Sequence, residues 1–258
     1  MIRGLVGITW KELFPWLPVL VAALNKVAVP FFYIWSFFGI IFQVGAIILI
    51  FLRREIRLFP KPGLPRYRYR WSAKTVALCG LLTAITIVFN YIGGWITVIP
   101  GIMSFGVFYY AMMYVFPIIF GWPGIWSAPL GEILGGVLKG GMHIGWFYCA
   151  WAYDFFLGWV AWKLVGGDTS LRTLKSWAKC MGVYLLYAFL QSFGWGVVYI
   201  WIGLMPLSML MPRSGFNIVW YFFFIWLYPP LIFIFHELAV RYRLHWKLIE
   251  PQPYEVLD

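Results

Sequence analysis

From Val27 to Leu52 the chain runs 26 residues without one charged side chain. A helix needs about 20 predominantly apolar residues to cross roughly 30 Å of hydrocarbon, so this run suits lipid rather than water as its solvent. The rest of the chain agrees with it. Hydrophobic residues make up 63% of the 258 and charged residues 11%, with mean hydropathy +0.82, against about 25% charged in soluble domains. That balance excludes a disordered chain, a disulfide-rich secreted module and a coiled coil. Three His and three Cys are too few for a many-histidine di-iron centre, and no Cys-x-x-Cys pair offers a zinc site. Cys79, Cys149 and Cys180 all sit in apolar stretches and read as small buried hydrophobes.

A shorter apolar piece, Leu13 to Asn25, comes first and carries Pro15 and Pro18. It is too short to cross alone, so residues 1–26 read as an interfacial or re-entrant segment. Lys11-Glu12 and the prolines argue against a signal peptide. Residues 27–52 then form an extra transmembrane helix and 53–74 a basic linker. Residues 75–240 form a six-helix membrane domain, with spans near Thr75–Asn90, Ile102–Phe120, Ile125–Leu138, Met142–Val165, Cys180–Leu204 and Asn217–Phe235. Residues 241–258 are a tail. The expected fold is an all-α polytopic bundle of about seven spans.

The net charge of +11 is concentrated beside these spans. Basic residues flanking a membrane face anionic lipid, so no nucleic acid is needed to explain them. With the linker on the cytoplasmic side, alternation also places there the loop of Lys163, Arg172, Lys175 and Lys179, and the tail of Arg241, Arg243 and Lys247. Eight basic residues in the linker, four in the loop and three in the tail put fifteen of twenty inside. The positive-inside rule therefore predicts a multi-pass protein of the cell membrane with a cytoplasmic C-terminus.

Small residues and punctuation carry the next signals. Ala77, Gly80 and Ala84 share one helix face, and small residues let membrane helices approach to backbone contact. That face serves either packing within the bundle or docking of a separate protein. Further on, Gly121-Trp122-Pro123-Gly124 makes a turn, followed by Ser127-Ala128-Pro129-Leu130-Gly131-Glu132-Ile133-Leu134-Gly135-Gly136 and the exit Lys139-Gly140-Gly141. A Gly-Pro turn, small residues, a mid-helix carboxylate and a glycine-rich exit resemble the third-helix region of the substrate-binding (S) components of energy-coupling factor transporters. The resemblance covers about 73–245, and the span before it is a departure. It implies six spans with cytoplasmic flanks and capture of a vitamin-like nutrient. It also implies docking of a transmembrane coupling subunit through Ala77, Gly80 and Ala84, with separate ATPase subunits as partners.

Ionisable residues inside the spans are few. Glu132 and Asp154 lie mid-span, and each costs at least about 2.5 kcal/mol to insert, so each should face a partner or a wet cavity. Asp154 is 12 residues past Met142, roughly 18 Å along a helix, and Gln191 reaches a similar depth. The three form either a ligand-facing or proton-sharing polar centre, or interhelical hydrogen-bond glue.

Nearer the outer side, Lys139, His143 and Trp146 gather at one turn. Asn90 and Trp95 belong to a loop whose Gly93-Gly94 and Pro100-Gly101 suit a lid, while Trp195, Tyr199 and Asn217 line the outer ends of the last spans. Asn90, Trp95, His143, Trp146, Trp195, Tyr199 and Asn217 are thus the candidate wall of an aromatic pocket for a small organic ligand. With 17 Trp, 16 Tyr and 24 Phe, an interfacial aromatic belt is the competing reading.

No phosphate loop, Gly-x-Ser-x-Gly elbow or His-Glu-x-x-His occurs, so no catalytic residue, metal site or cofactor is expected. The expected function is the small-molecule-binding component of an ATP-driven uptake transporter. The alternatives are a non-catalytic structural subunit of a membrane complex and an intramembrane enzyme working through Glu132 and Asp154.

Overall fold

The computed structural model describes residues 15–52, 66–95, 97–99, 103–104, 107–139, 147, 150–249 and 254–257. It is a helical chain. Helix α1 spans Leu17–Leu52, 36 residues in one piece. The expected boundary between a segment ending at 26 and a span beginning at 27 is therefore corrected, because a single helix runs through it. Pro18 falls in the first turn, where a missing amide costs nothing. Pro30 lies inside the helix, as membrane helices tolerate. Ala28 and Trp35 of α1 are buried against Phe193, Val197 and Leu210, whereas Val19, Tyr33 and Phe37 are exposed.

Strand β1, Arg66–Tyr69, leads into α2, Ala73–Trp95. A small antiparallel hairpin of β2, Thr97–Ile99, and β3, Met103–Ser104, follows. Then come α3, Val107–Phe120, and α4, Trp122–Leu138. Between them Gly121 takes φ 64 with Trp162 and Trp246 packed over it, so a side chain there would be both strained and crowded. Pro123 starts α4 within its first turn. A π-helical turn, Ala150–Phe155, feeds α5, Phe156–Val165. Next come α6, Leu174–Trp201, then α7, Leu210–Phe223, and α8, Tyr228–Arg241, with β4 at Tyr254–Leu257.

Three stretches are long and apolar enough to cross a membrane: Pro18–Phe42, Ala73–Gly93 and Leu174–Trp201. They become four if Leu207–Phe223 and Ile225–Arg241, bent by 42°, count as one. The bend falls inside the expected span Asn217–Phe235. Pro229 and Pro230 explain it, since neither has an amide to continue the preceding turn. The seven expected spans are not all reached by length, because α3 has 14 residues and α4 has 17, roughly 21 and 25 Å at 1.5 Å per residue.

Close packing runs along glycines. Helix α4 lays Gly131 and Gly135 on Thr86 and Asn90 of α2; a Cβ at Gly131 would run into Thr86, and one at Gly135 would lie 2.6 Å from the Asn90 amide nitrogen. Glycines four apart thus bring two backbones together where lipid supplies no hydrophobic drive. Gly39 of α1 closes on the hydroxyl end of Tyr153 and Gly194 of α6 on its ring edge. The centre of the bundle is a run of buried tyrosines. Tyr109–Tyr110, Tyr110–Tyr221 and Tyr184–Tyr228 ring centroids lie 5.3, 5.6 and 3.9 Å apart. Tyr114 donates to the Cys180 carbonyl at 2.5 Å and Tyr184 to the Tyr221 carbonyl at 2.9 Å, so two of the buried hydroxyls are satisfied by helix backbone.

One end of the bundle gathers the basic segments. Strand β1 pairs antiparallel with β4, Tyr69 opposite Tyr254. The Lys74 ammonium donates to the Arg243 carbonyl at 3.2 Å, and the Trp246 amide to the Ile119 carbonyl at 3.1 Å. Thr169 bonds the His236 ring at 2.8 Å and Arg172 pairs with Glu237 at 2.8 Å. Linker, loop and tail, separated in sequence, share this end.

Candidate functional site

The residues that stand out in the bundle interior are polar, and they converge. Asp154 ends up there because the π-helical turn widens the backbone just before α5, and Tyr153 beside it is clamped between α1 and α6. Such turns re-aim side chains and recur at functional sites. Asp154 is fully buried. Its Oδ1 accepts a hydrogen bond of 2.5 Å from the Gln191 amide and one of 3.4 Å from the Trp195 indole. Gln191 and Trp195 are four residues apart on α6, so one helix face delivers both donors.

Glu132 arrives from α4, held at its depth by the Gly131–Thr86 and Gly135–Asn90 contacts on either side. Its carboxyl lies within hydrogen-bond reach of Asp154, and the Tyr109 hydroxyl of α3 lies against it. Yet Glu132 Oε2, Asp154 Oδ2, Gln191 Oε1 and the hydroxyls of Tyr109 and Tyr187 are buried and make no well-formed hydrogen bond among the described residues. Buried polar atoms in native proteins are nearly always paired. Five such atoms lie in one place: three acceptors without a hydrogen of their own, and two tyrosine hydroxyls that each carry one.

Above this centre Asn90 bridges two helices. Its amide donates to the Glu132 carbonyl at 3.4 Å and its oxygen accepts from the Lys139 ammonium at 2.5 Å. Beside it, Trp195 packs edge-on against Tyr199 at 5.6 Å, and the Arg213 guanidinium stacks over Tyr199 at 4.4 Å while donating to the Ser192 carbonyl.

Glu132, Asp154 and Gln191 are thus together, as their depths in sequence imply. Trp195 belongs with them, since its indole nitrogen points at Asp154 rather than into an outer pocket. Asn90 caps the centre and Tyr199 flanks it. Asn217 is half-buried on α7, and among the described residues no hydrogen bond joins it to the centre. Trp95 ends α2, and its side chain lies outside the described residues, as do His143 and Trp146 entirely. Tyr109, Tyr187 and Arg213 escaped the sequence reading: inside an aromatic-rich span a tyrosine looks like any other belt residue.

The small-residue face is equally definite. Ala77, Gly80 and Ala84 are exposed, and nothing lies within 4 Å of a Cβ built on Gly80. Among the described residues nothing packs on Gly80, whereas the glycine seam of α4 packs on α2. Among the described residues no group of three His, Cys, Asp or Glu side chains is placed to hold a metal.

No family model, curated protein or solved structure matches this chain.

Proposed function

We propose that this chain is a membrane-embedded binding component for a small molecule. It would serve an ATP-driven uptake transporter whose coupling and ATPase subunits are separate chains. The observation that carries the reading is the buried polar centre of Glu132, Asp154, Gln191 and Tyr109, with Trp195 donating to it and Tyr199 packed on Trp195. A few converging polar groups within aromatic walls are the usual make-up of a small-molecule site. The open Ala77/Gly80/Ala84 face suits a partner helix, as the resemblance to S components implies. In this reading one extra helix precedes six crossings, α2 to α8 with α7 and α8 as one broken span. The end that gathers the basic segments is cytoplasmic, and the membrane is that of the cell surface.

The test is native mass spectrometry of the full-length protein released from mild detergent. Retention of a small organic molecule, lost in Trp195→Ala, supports the reading. A ligand-free protein that co-purifies with other membrane subunits, and loses them in Gly80→Leu, favours a non-catalytic structural subunit instead. The exposed apolar length of α1 suits that second role, with Tyr33 and Phe37 turned outward.

A further inference from the structure

The polar centre poses a hydrogen-counting problem that one small particle solves. Glu132 Oε2 and Asp154 Oδ2 are both buried and make no well-formed hydrogen bond among the described residues, while their carboxyl groups lie within hydrogen-bond reach of one another. Two ionised carboxylates so placed repel, and each leaves a buried acceptor bare. Among the described residues, the surroundings offer the two carboxyls only neutral donors, the Tyr109 hydroxyl beside Glu132 and the Gln191 and Trp195 groups beside Asp154. Helix α3 brings the neutral hydroxyls of Tyr109 and Tyr110, and α6 brings Tyr187, Gln191 and Trp195, of which Gln191 and Trp195 already donate to Asp154 Oδ1. Helix α1 packs Gly39 and Phe42 against Tyr153 and adds no charge there. Among the described residues, the nearest cations bond to other groups. Lys139 is bound to Asn90, and Arg213 lies over Tyr199 and on the Ser192 carbonyl.

We propose that Glu132 and Asp154 together hold one proton, as a carboxylic acid–carboxylate pair inside the membrane, so that the proton is itself a ligand of this centre. A hydrogen between Glu132 Oε2 and Asp154 Oδ2 turns two bare acceptors into one charge-assisted hydrogen bond, and the pair then titrates as a unit. The remaining negative charge rests on the Asp154 side, where Gln191 and Trp195 donate. No cavity is needed. The inference rests on the centre being the working site, and it deepens that reading in one respect. A small molecule that brings its own donors, such as an ammonium group, would displace the proton into solvent, so its binding would strengthen as pH rises.

Infrared spectroscopy of the full-length protein in detergent at neutral pH tests this without any added ligand. The expected result is a carbonyl stretch of a protonated carboxylic acid that shifts in heavy water and disappears in Glu132→Gln/Asp154→Asn. The amides of that double variant can donate to one another across the same gap. Where that variant does not fold, carboxyl-13C labelling of glutamate and aspartate in the wild type makes the assignment, because the band must move with the label. Absence of any acid band at neutral pH overturns the proposal, as does a band that persists in the folded double variant. The outcome is independent of the mass-spectrometric one: an acid band without a retained small molecule keeps the proton and sinks the transporter reading, and the reverse pair of results does the opposite.

Discussion

Gly131→Ala adds one methyl group at the tightest point between α2 and α4, and its effect follows from what that methyl meets. The new Cβ would lie against Thr86 Cβ, 2.5 Å from Thr86 Cγ2 and 3.3 Å from the Thr83 carbonyl oxygen. Thr86 cannot swing aside cheaply. It is β-branched and fully buried, and its hydroxyl donates to the Leu82 carbonyl at 2.8 Å, a bond that another rotamer would break. The helices must instead part by about 1 Å, and forced overpacking of this kind costs about 1–3 kcal/mol. Alanine's helix preference returns at most about 1 kcal/mol, so we expect a net loss of roughly 1–2 kcal/mol. Gly80→Ala on the same α2 helix is the control. It meets nothing within 4 Å and is expected to be neutral or slightly stabilising. Unfolding by titration of a denaturing into a mild detergent, followed by helical circular dichroism, reads both. Since about 1.4 kcal/mol is a factor of ten in an equilibrium constant, the two alanines should separate clearly. Equal midpoints for Gly131→Ala and Gly80→Ala would refute the claim that the α4 glycines set the helix spacing.

Three further outcomes are expected. Burial, with smaller contributions from His236 and Lys247, pushes His245 down from 6.5 to about 4. The folded chain therefore resists a proton that the unfolded chain accepts, and stability is full above about pH 6.5. It falls as the pH drops and levels off below about 4, a loss of roughly 3 kcal/mol at 1.36 kcal/mol per unit; His245→Phe should flatten that stretch of an unfolding-midpoint-against-pH curve. Thr173 caps α6 by accepting from the Ser176 amide at 3.1 Å, so Thr173→Ala should cost about 1 kcal/mol in the same detergent titration. Cysteines placed at Ser72 and at the exposed Lys175 should resist an impermeant thiol reagent in intact cells and react once the membrane is opened; rapid labelling of intact cells would reverse the orientation.

How much of this was legible in the sequence differs from residue to residue for physical reasons. Membrane helices announce themselves because hydrocarbon tolerates so few charges, so the uncharged run after Val27 and the helix after Ala73 were readable. Depth was readable too: counting residues from span ends put Glu132, Asp154 and Gln191 at similar levels, where they meet. Direction was not. Trp195 looked like a pocket wall, but its place four residues beyond Gln191 sends its indole nitrogen to Asp154. The Ala77/Gly80/Ala84 face and the Gly131/Gly135 seam have the same sequence character, and nothing local says which faces a neighbour within the chain. Near the N-terminus, the charge of Lys26 set the start of the uncharged run and so a boundary at 26, yet α1 continues through it from Leu17 to Leu52, because one lysine does not interrupt a helix.

The pairing of β1 with β4 has a consequence for how the chain is threaded. Hydrogen-bonded strands occupy the same aqueous compartment, so between Tyr69 and Tyr254 the polypeptide must pass through the bilayer an even number of times. Among the helices in that interval, α2 and α6 meet the requirements of length and apolarity, as does the bent α7–α8 pair when it is counted as one crossing, as proposed above; on that count there are three, and three is odd. Parity then demands an odd number of additional passages from the stretch between α2 and α6, where each described helix is too short to be recognised by length. A two-stranded ladder of four residue pairs thereby constrains the topology of the region that hydropathy reads least well.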